Sequence, residues 1–252
     1  MVNGETGRST VLRSLPKGLD AKTDEILQAV QVLRRPGEVA EIRAFSDRGT
    51  ISGYFDDYRE LASCAAQLDD KGHQVYVTLN PIVPALLARS KNRLESRLKA
   101  TTSDGDIVKR VWLPIDLDPE RPSGISASEP EKQAAIQRAA EIKEFLTDKG
   151  YPDPLEADSG NGVHLLYRVD LPNDAESLEL VKRFLAALDF VFSDGAVSVD
   201  TGVANSARIW KLYGTKARKG DSTQDRPHRR SRLLAIPGVV QEAPLAEVSA
   251  WK

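Results

Sequence analysis

The sequence contains a mostly apolar run, Val108 to Leu117, that leads directly into acid. Its centre, Val111 to Ile115, includes β-branched and aromatic side chains, which favour strands. A short apolar run of this kind predicts a buried strand. The predicted strand ends in Asp116-Leu117-Asp118-Pro119, so two carboxylates follow a buried segment.

Helix-like and strand-like segments alternate along the rest of the chain, which predicts a mixed fold, α/β or α+β. Capping boxes at Ser128/Glu131 and Asn173/Glu176 predict the starts of the third and fourth helices. The predicted helices cover 19–35, 57–68, 128–150 and 173–188, and the other predicted strands cover 39–45, 50–55, 74–79, 155–158, 162–169, 197–200, 207–213 and 232–236. A hairpin is expected around Asp47-Arg48-Gly49.

Composition excludes several classes of protein. Cys64 is the single cysteine among 252 residues, so neither an intramolecular disulfide nor a Cys-rich zinc site is expected. The sequence has no apolar run of about 18 residues, and its start lacks a basic segment followed by an apolar one. We therefore expect a cytoplasmic protein with no membrane partner.

The net charge of -2 gives no general reason to expect nucleic-acid binding. The charge is unevenly distributed, however, because residues 208–232 contain nine Lys or Arg residues and only two Asp residues. This basic segment is a candidate phosphate-binding face. The alternative is a solvated loop.

Asp116 and Asp118 are the first candidate site. Residues two apart on a strand point to the same face, so the two carboxylates are expected side by side. A divalent cation is a common reason for such a pair. The alternative is that Asp118-Pro119 only ends the strand as an exposed turn.

The second candidate is Ser159-Gly160-Asn161-Gly162, which precedes a strand that contains His164. Glycines allow backbone amides to approach an anion, and His164 would then contact a phosphate or a metal. The alternatives are an ordinary turn and a core histidine.

The third candidate is Val199-Asp200, which is followed by cationic side chains at Arg208, Lys211 and Lys216. The carboxylate and the cations could form plain ion pairs, or they could hold a metal and triphosphate oxygens.

The order of these three motifs resembles that of the archaeo-eukaryotic primase superfamily, the primase-polymerases. Ile115-Asp116-Leu117-Asp118 is similar to the first motif of the family, Ser159 to His164 to its Ser-x-His region, and Val199-Asp200 to its hydrophobic-Asp motif. The segments 76–81 and 226–231 are similar to members from phages, plasmids and other mobile elements. Gly162 stands where the strict motif has Ser, and the zinc module of some members is absent.

The resemblance implies a template-directed nucleotidyltransferase, a DNA primase and DNA polymerase, that uses two Mg²⁺ or Mn²⁺ ions and no zinc. Asp116, Asp118 and Asp200 would be the catalytic metal ligands. The expected nucleotide-binding residues are Ser159, Gly160, Asn161, Gly162, His164, Arg208, Lys211 and Lys216, and the expected nucleic-acid-binding residues are Lys219, Arg226, His228, Arg229 and Arg230.

The resemblance also implies a two-lobed fold. We expect an N-terminal extension and helix over 1–37, an N-terminal α/β lobe over 38–107, a catalytic lobe like the RNA-recognition fold over 108–240, and a tail over 241–252. The implied partners are single-stranded or primer-template DNA, ribo- or deoxyribonucleoside triphosphates, and a helicase or CRISPR-associated protein.

Other functions stay open at this stage. The same residue types serve a two-metal phosphodiesterase or nuclease, a non-catalytic nucleic-acid-binding protein of replication or defence, and an Asp-x-Asp glycosyltransferase. Tyr76, Tyr167 and Tyr213 are equal candidates for a steric contact with the sugar of the nucleotide.

Overall fold

The computed structural model describes residues 20–46, 49–98, 100–239 and 241–245. The helices are α1 (Ala21–Leu33), α2 (Tyr58–Asp70), α3 (Glu129–Asp148) and α4 (Ala175–Phe192). The strands are β1 (Ala40–Ser46), β2 (Gly49–Phe55), β3 (Val75–Thr78), β4 (Leu94–Ser96), β5 (Lys109–Pro119), β6 (Leu155–Asp158), β7 (Val163–Pro172), β8 (Val197–Val199), β9 (Ile209–Lys211), β10 (Lys216–Ala217), β11 (Arg229–Arg230) and β12 (Arg232–Ala235).

The helices begin at side chains that accept hydrogen bonds from their first backbone amides. The Asp20 carboxylate accepts from the amides of Lys22 and Thr23 and so starts α1. The predicted capping box of Ser128 and Glu131 is confirmed at the start of α3. These caps explain why the predicted helix positions are close to the observed ones.

The predicted start of α4 is wrong by one residue. Asp174, not Asn173, caps this helix, since its carboxylate accepts a hydrogen bond from the Ser177 amide at 2.8 Å. The side-chain amide of Asn173 instead donates to the backbone oxygens of Asp104 and Ile107. The Asn173 side chain is thus used for a tertiary contact that the local pattern does not reveal.

The first sheet has the strand order β4-β2-β1-β3-β9, and its pairings are antiparallel. The predicted hairpin is confirmed by the β1–β2 register, which runs from Ala40 opposite Phe55 to Ser46 opposite Gly49. Its turn residues Asp47 and Arg48 lie outside the described residues. The short strands β4, β10 and β11 have no clear sequence pattern and were not predicted.

The second sheet has the order β12-β6-β7-β5-β8 and is also antiparallel. Its core follows the chain order β5-α3-β6-β7-α4-β8, which is the ferredoxin-like arrangement shared by RNA-recognition domains. The predicted mixed fold with an RNA-recognition-like lobe is confirmed. Since both sheets are antiparallel, α+β describes it better than α/β.

The predicted lobe boundary at 107/108 falls between the first four strands of the first sheet and the second sheet. The chain returns to the first sheet at β9, however, where Trp210 pairs with Val77. Residues 209–211, which belong to the predicted catalytic lobe by sequence, thus extend the sheet of the N-terminal lobe. The division into lobes stays a prediction, and the predicted extension 1–19 and tail end 246–252 lie outside the described residues.

Buried apolar side chains connect the two halves. One continuous core contains Ile42 and Val77 of the first sheet together with Ile115 and Leu165 of the second. Within the described residues, no helix is both long and apolar enough to cross a membrane.

Candidate functional site

A cavity of about 420 Å³ lies between the two sheets. The second sheet contributes acidic side chains and a histidine, and the first sheet contributes aromatic and cationic ones. The predicted site residues that line the cavity are Asp116, Asp118, Ser159, Asn161, His164, Asp200, Arg208, Lys211 and Lys219. The structure therefore brings the three candidate motifs to one place.

Asp116 and Asp118 lie on β5 and both face the cavity, as the period of a strand predicts. Asp116 lies opposite His164 of β7, and Asp118 lies opposite Ser198 of β8. The intervening Leu117 is fully buried. The strand continues through Pro119, so the alternative of an exposed turn at Asp118 is wrong.

The two carboxylates have different electrostatic environments. Burial opposes ionisation of Asp116, but His164, Lys219 and Arg208 outweigh it and hold the pKa of Asp116 below its ordinary value. Burial raises the pKa of Asp118, and repulsion by Asp116 raises it further. The cations therefore favour the charged form of Asp116, whereas burial and the neighbouring carboxylate favour the neutral form of Asp118.

His164 is buried beside Asp116. Its Nε2 lies 3.3 Å from Asp116 Oδ1, and its Nδ1 lies 3.0 Å from the Tyr213 hydroxyl. Its ring packs against Trp210, with 4.1 Å between the ring centroids. The alternative of an isolated core histidine does not describe His164, which is buried but lines the cavity beside Asp116, and its contact with a phosphate or a metal stays a prediction.

The glycine-rich turn is held by its own side chains. The Gly160 amide donates to the Asp158 carboxylate at 2.7 Å, and the Gly162 amide donates to the Ser159 hydroxyl at 2.9 Å. The Asn161 side chain accepts from the Ala127 amide at 2.9 Å. The expectation that these glycine amides are free to bind an anion is therefore wrong in this conformation, because the turn uses them itself.

Close packing explains both glycines. A Cβ at Gly162 would lie 1.9 Å from the Leu117 carbonyl oxygen of β5. Gly160 has a φ of +98°, and a Cβ there would lie 2.6 Å from the Ala217 Cβ. Both positions therefore require glycine, Gly162 because the turn packs directly on the strand that carries the carboxylates.

Asp200 follows β8 and is held next to Asp116 by the backbone. Its amide donates to the Asp116 carbonyl oxygen at 2.9 Å, and its Oδ1 accepts from the Gly202 amide at 2.7 Å. Arg208 donates to the Gly202 carbonyl oxygen from the same side. This places a third carboxylate and a guanidinium at the rim of the cavity.

Lys211 is the most deeply buried cation of the site. Its Nζ donates to the Lys216 carbonyl oxygen at 2.7 Å and lies 5.6 Å from the centre of the Tyr76 ring. The pKa of Lys211 is lowered to about 7, mainly by burial. The attraction of Asp69 opposes this shift, and the repulsion of Arg218 adds to it. Lys216, by contrast, is exposed and lies outside the cavity.

Other cations flank Asp118. Lys219 Nζ lies 3.9 Å from one carboxylate oxygen of Asp118, and Arg121 lies 3.5 Å from the other. Arg121 also donates to the Pro119 and Ile125 carbonyl oxygens, which fixes its position. Lys219 is predicted from the sequence to bind nucleic acid, and no sequence motif indicates a role for Arg121.

The other predicted nucleic-acid-binding residues have protein partners outside the cavity. The Arg226 guanidinium binds both carboxylate oxygens of Glu131, at 2.7 and 2.8 Å. Likewise Arg229 pairs with Glu129, Arg230 pairs with Glu25, and His228 contacts the Gly220 carbonyl oxygen. These ion pairs fasten the basic segment to α1 and α3, and its contact with nucleic acid stays a prediction.

The donor set fits a hard divalent cation. The carboxylates of Asp116, Asp118 and Asp200 all line the cavity, and oxygen is the ligand that Mg²⁺ and Mn²⁺ prefer. Burial and then repulsion by Asp116 raise the pKa of Asp118, and a bound cation would oppose both effects by favouring the charged carboxylate. Among the described residues, no three His, Cys, Asp or Glu side chains are already grouped as a metal site.

Three aromatic residues line the cavity, of which the sequence indicates Tyr76 only as one of three equal candidates and does not indicate Phe45 or Trp210. Trp210 and Phe45 line the cavity, and Phe45 packs on Tyr76 with 5.9 Å between ring centroids. Of the three tyrosines considered, Tyr76 lines the cavity, whereas Tyr167 and Tyr213 are buried. No local pattern distinguishes these aromatics from core residues, since their position depends on pairing between distant strands.

Comparison with known proteins supports the fold. The chain is similar to a crystal structure of primase RepB', with 13% sequence identity and a TM-score of 0.50 over 91% of this chain and 62% of that one. It thus spans less than two thirds of that primase chain. A structure of the catalytic domain of primase RepB' in complex with initiator DNA has 14% identity, a TM-score of 0.48, and coverage of 90% and 95%.

No family model matches the chain, and no curated protein matches it by sequence. The similarity to primase RepB' agrees with the primase-polymerase resemblance at the level of the fold.

The packing of Gly162 generates a stability prediction. We expect Gly162→Ala to lower the free energy of unfolding by about 3 kcal/mol, because the added Cβ would overlap a strand backbone that cannot shift without moving the site. Urea denaturation measures the loss. Gly195→Ala is the matched control, since a Cβ there would meet no atom within 4 Å. Equal losses in the two variants would contradict the packing argument.

The environment of Lys211 generates a pH prediction. Its pKa of about 7 lies below the ordinary value of 10.5, so the unfolded chain binds more protons between these values and stability rises with pH there. We expect Lys211→Met to be more stable than the wild type by about 2–4 kcal/mol below pH 7, with the difference shrinking towards pH 10.

Urea denaturation at several pH values measures this difference. Lys219→Met is the control, because that side chain is 40% exposed and its loss should change stability by less than about 0.5 kcal/mol. A Lys211→Met variant that is less stable than the wild type at pH 6 would contradict the prediction.

Proposed function

We propose that the protein is a template-dependent nucleotidyltransferase of the primase-polymerase type. The observation that carries the proposal is the pair of carboxylates, Asp116 and Asp118, which faces cationic side chains across one cavity. Phosphoryl transfer depends mainly on positioning and on electrostatic stabilisation. Carboxylates that can hold cations and positive side chains that can hold phosphate oxygens therefore need separate places in one cavity. The fold shared with primase RepB' supports the same assignment.

Asp116, Asp118 and Asp200 are the proposed holders of two divalent ions. When bound, such ions activate the attacking hydroxyl and neutralise charge on the leaving group. The backbone hydrogen bond between Asp200 and Asp116 keeps two of these carboxylates together before any ion arrives. Arg121 holds Asp118 from the outer side at 3.5 Å.

The cationic wall is proposed to bind the triphosphate. This cationic wall consists of Arg208, Lys211 and Lys219. The three side chains line the same cavity as the carboxylates and offer hydrogen-bond donors to phosphate oxygens. Lys211 is partly neutral near pH 7 because of its burial, and a bound phosphate would favour its charged form. His164 lines the same cavity, with its Nε2 3.3 Å from Asp116 Oδ1.

The aromatic side of the cavity is proposed to contact the nucleoside. Tyr76 and Phe45 form a packed pair at the first sheet, and Phe45 is 52% exposed. An exposed aromatic ring at the rim offers a surface on which a base can stack. Tyr76, the cavity-lining member of the three tyrosines considered, is the candidate for the sugar contact.

The biological partners are proposals drawn from the family resemblance. They include primer-template or single-stranded DNA and a helicase or CRISPR-associated protein that would act with this domain. A mobile-element origin is part of the same proposal. Whether the enzyme starts chains or only extends them is a question for the experiment below.

The test incubates the chain with primed and unprimed single-stranded templates, labelled nucleotides of both sugar types, and Mg²⁺ or Mn²⁺. We expect extension products from the wild type. Asp116→Asn or Asp118→Asn should lower the rate about a thousandfold or more, since several kcal/mol of charge stabilisation are lost. Asp148→Asn, at the exposed end of α3, is the matched control and should keep full activity.

Other products would favour the other functions. Shortening of the labelled DNA, lost in Asp116→Asn, would indicate a two-metal nuclease. DNA binding without any product, unchanged in Asp116→Asn, would indicate a non-catalytic binding protein. Wild-type activity in either carboxylate variant would overturn the site assignment.

A further inference from the structure

A chain of hydrogen bonds links His164 to Tyr213 and Trp210 at one ring nitrogen and to Asp116 at the other. The indole Nε1 of Trp210 lies 2.7 Å from the Tyr213 hydroxyl oxygen, which lies 3.0 Å from His164 Nδ1. On the cavity side, His164 Nε2 lies 3.3 Å from Asp116 Oδ1. The four groups therefore form one continuous series from the core to the site.

The chemistry of the groups gives this series a single direction. An indole nitrogen can only donate, so the Tyr213 oxygen accepts from Trp210. Among the described residues the hydroxyl of the fully buried Tyr213 has only Trp210 and His164 as partners, so its hydrogen keeps a partner only if it is donated to the lone pair of His164 Nδ1. The ring proton of His164 is therefore on Nε2, and the Nε2–H group donates a hydrogen bond to Asp116 Oδ1.

Burial protects this arrangement from competition by water. Tyr213 is fully buried, and Trp210 and His164 are only 2% and 4% exposed. The Trp210 ring also packs against the His164 ring and so fixes its plane. A buried hydrogen-bond series of this kind is costly to break, because each freed polar group would lack a partner.

We propose that Tyr213 and Trp210 are positioning residues that hold His164 with its proton on Nε2, so that His164 is a hydrogen-bond donor into the cavity. In the structure the acceptor is Asp116. With a nucleotide bound, the same N–H is directed at a triphosphate oxygen, and this second part rests on the proposed function. With Nε2 protonated and Nδ1 occupied, His164 has no free lone pair and does not act as a base.

The tautomer is measured directly by nitrogen NMR on protein with ¹⁵N-labelled histidine, at about pH 8.5, above the ordinary pKa of histidine. The chain has three histidines, so His164→Gln identifies the signals of His164. We expect a protonated Nε2 and an unprotonated Nδ1. A protonated Nδ1 in the wild type would overturn the proposal without any further variant.

Tyr213→Phe removes the hydroxyl and should allow a measurable fraction of the opposite tautomer, with the proton on Nδ1. Tyr167→Phe is the matched control: Tyr167 is also buried, and its hydroxyl has no hydrogen-bond partner among the described residues. We expect its spectrum to equal that of the wild type. Unchanged His164 signals in Tyr213→Phe would contradict the role of Tyr213.

Loss of the Tyr213 hydroxyl leaves the Trp210 indole N–H without its acceptor, so a second variant guards against misfolding. Trp210→Phe/Tyr213→Phe removes both polar groups and leaves an aromatic ring at each position. We expect the same mixture of tautomers in this double variant. A pure Nε2–H form in it would overturn the proposal.

A kinetic measurement separates this inference from the proposed function. If the wild type extends primers, Tyr213→Phe should raise KM for the nucleotide about tenfold with little change in kcat, as expected for a residue that orients a ligand-binding group. An unchanged KM together with a shifted tautomer would refute the triphosphate contact alone. If the wild type is inactive, the proposed function fails, while the NMR result still decides the tautomer.

Discussion

Asp116 and His164 face each other because β5 and β7 pair in one particular register, and the rest of the site is arranged around that pairing. A shift of β5 by one residue would turn Asp116 away from the cavity and bring Leu117 towards it. The observed register places Gly162 where a Cβ would lie 1.9 Å from the Leu117 carbonyl oxygen, so a residue with a side chain does not fit at this position and a slipped register is disfavoured. The turn that looks suited to binding an anion therefore serves first to set a strand register.

The same structure changes the meaning of the basic segment. By sequence, residues 208–232 carry an excess of cations, but most of their acidic partners lie far away along the chain. Arg218 binds Asp69 at 2.7 Å, Arg226 binds Glu131, and Arg230 binds Glu25. What points into the cavity is a smaller set, which includes Lys211 and Lys219. A local charge count thus overstates the potential at the surface, because it omits the carboxylates that folding brings in.

Much of the fold could be predicted from the sequence because its signals are local. Periodicity and capping located the helices, and β-branched runs located the longer strands, including the strand that carries Asp116 and Asp118. The missed features are non-local. The joining of β9 to β3, the hydrogen bonds of Asn173 to Asp104 and Ile107, and the placement of Trp210 beside His164 all depend on residues far apart in the chain. No window of the sequence contains both partners of such a contact.

Strand β9 lies between β8 and β10 in the chain, yet it pairs with β3 of the other sheet. The segment that carries Trp210 and Lys211 into the cavity therefore connects the two sheets, through the chain to β8 and through hydrogen bonds to β3. Moving the two sheets apart would either break the β3–β9 ladder or pull Trp210 away from His164. A wider cavity therefore costs contacts that hold its two walls together, and a ligand meets a space whose width this segment restrains.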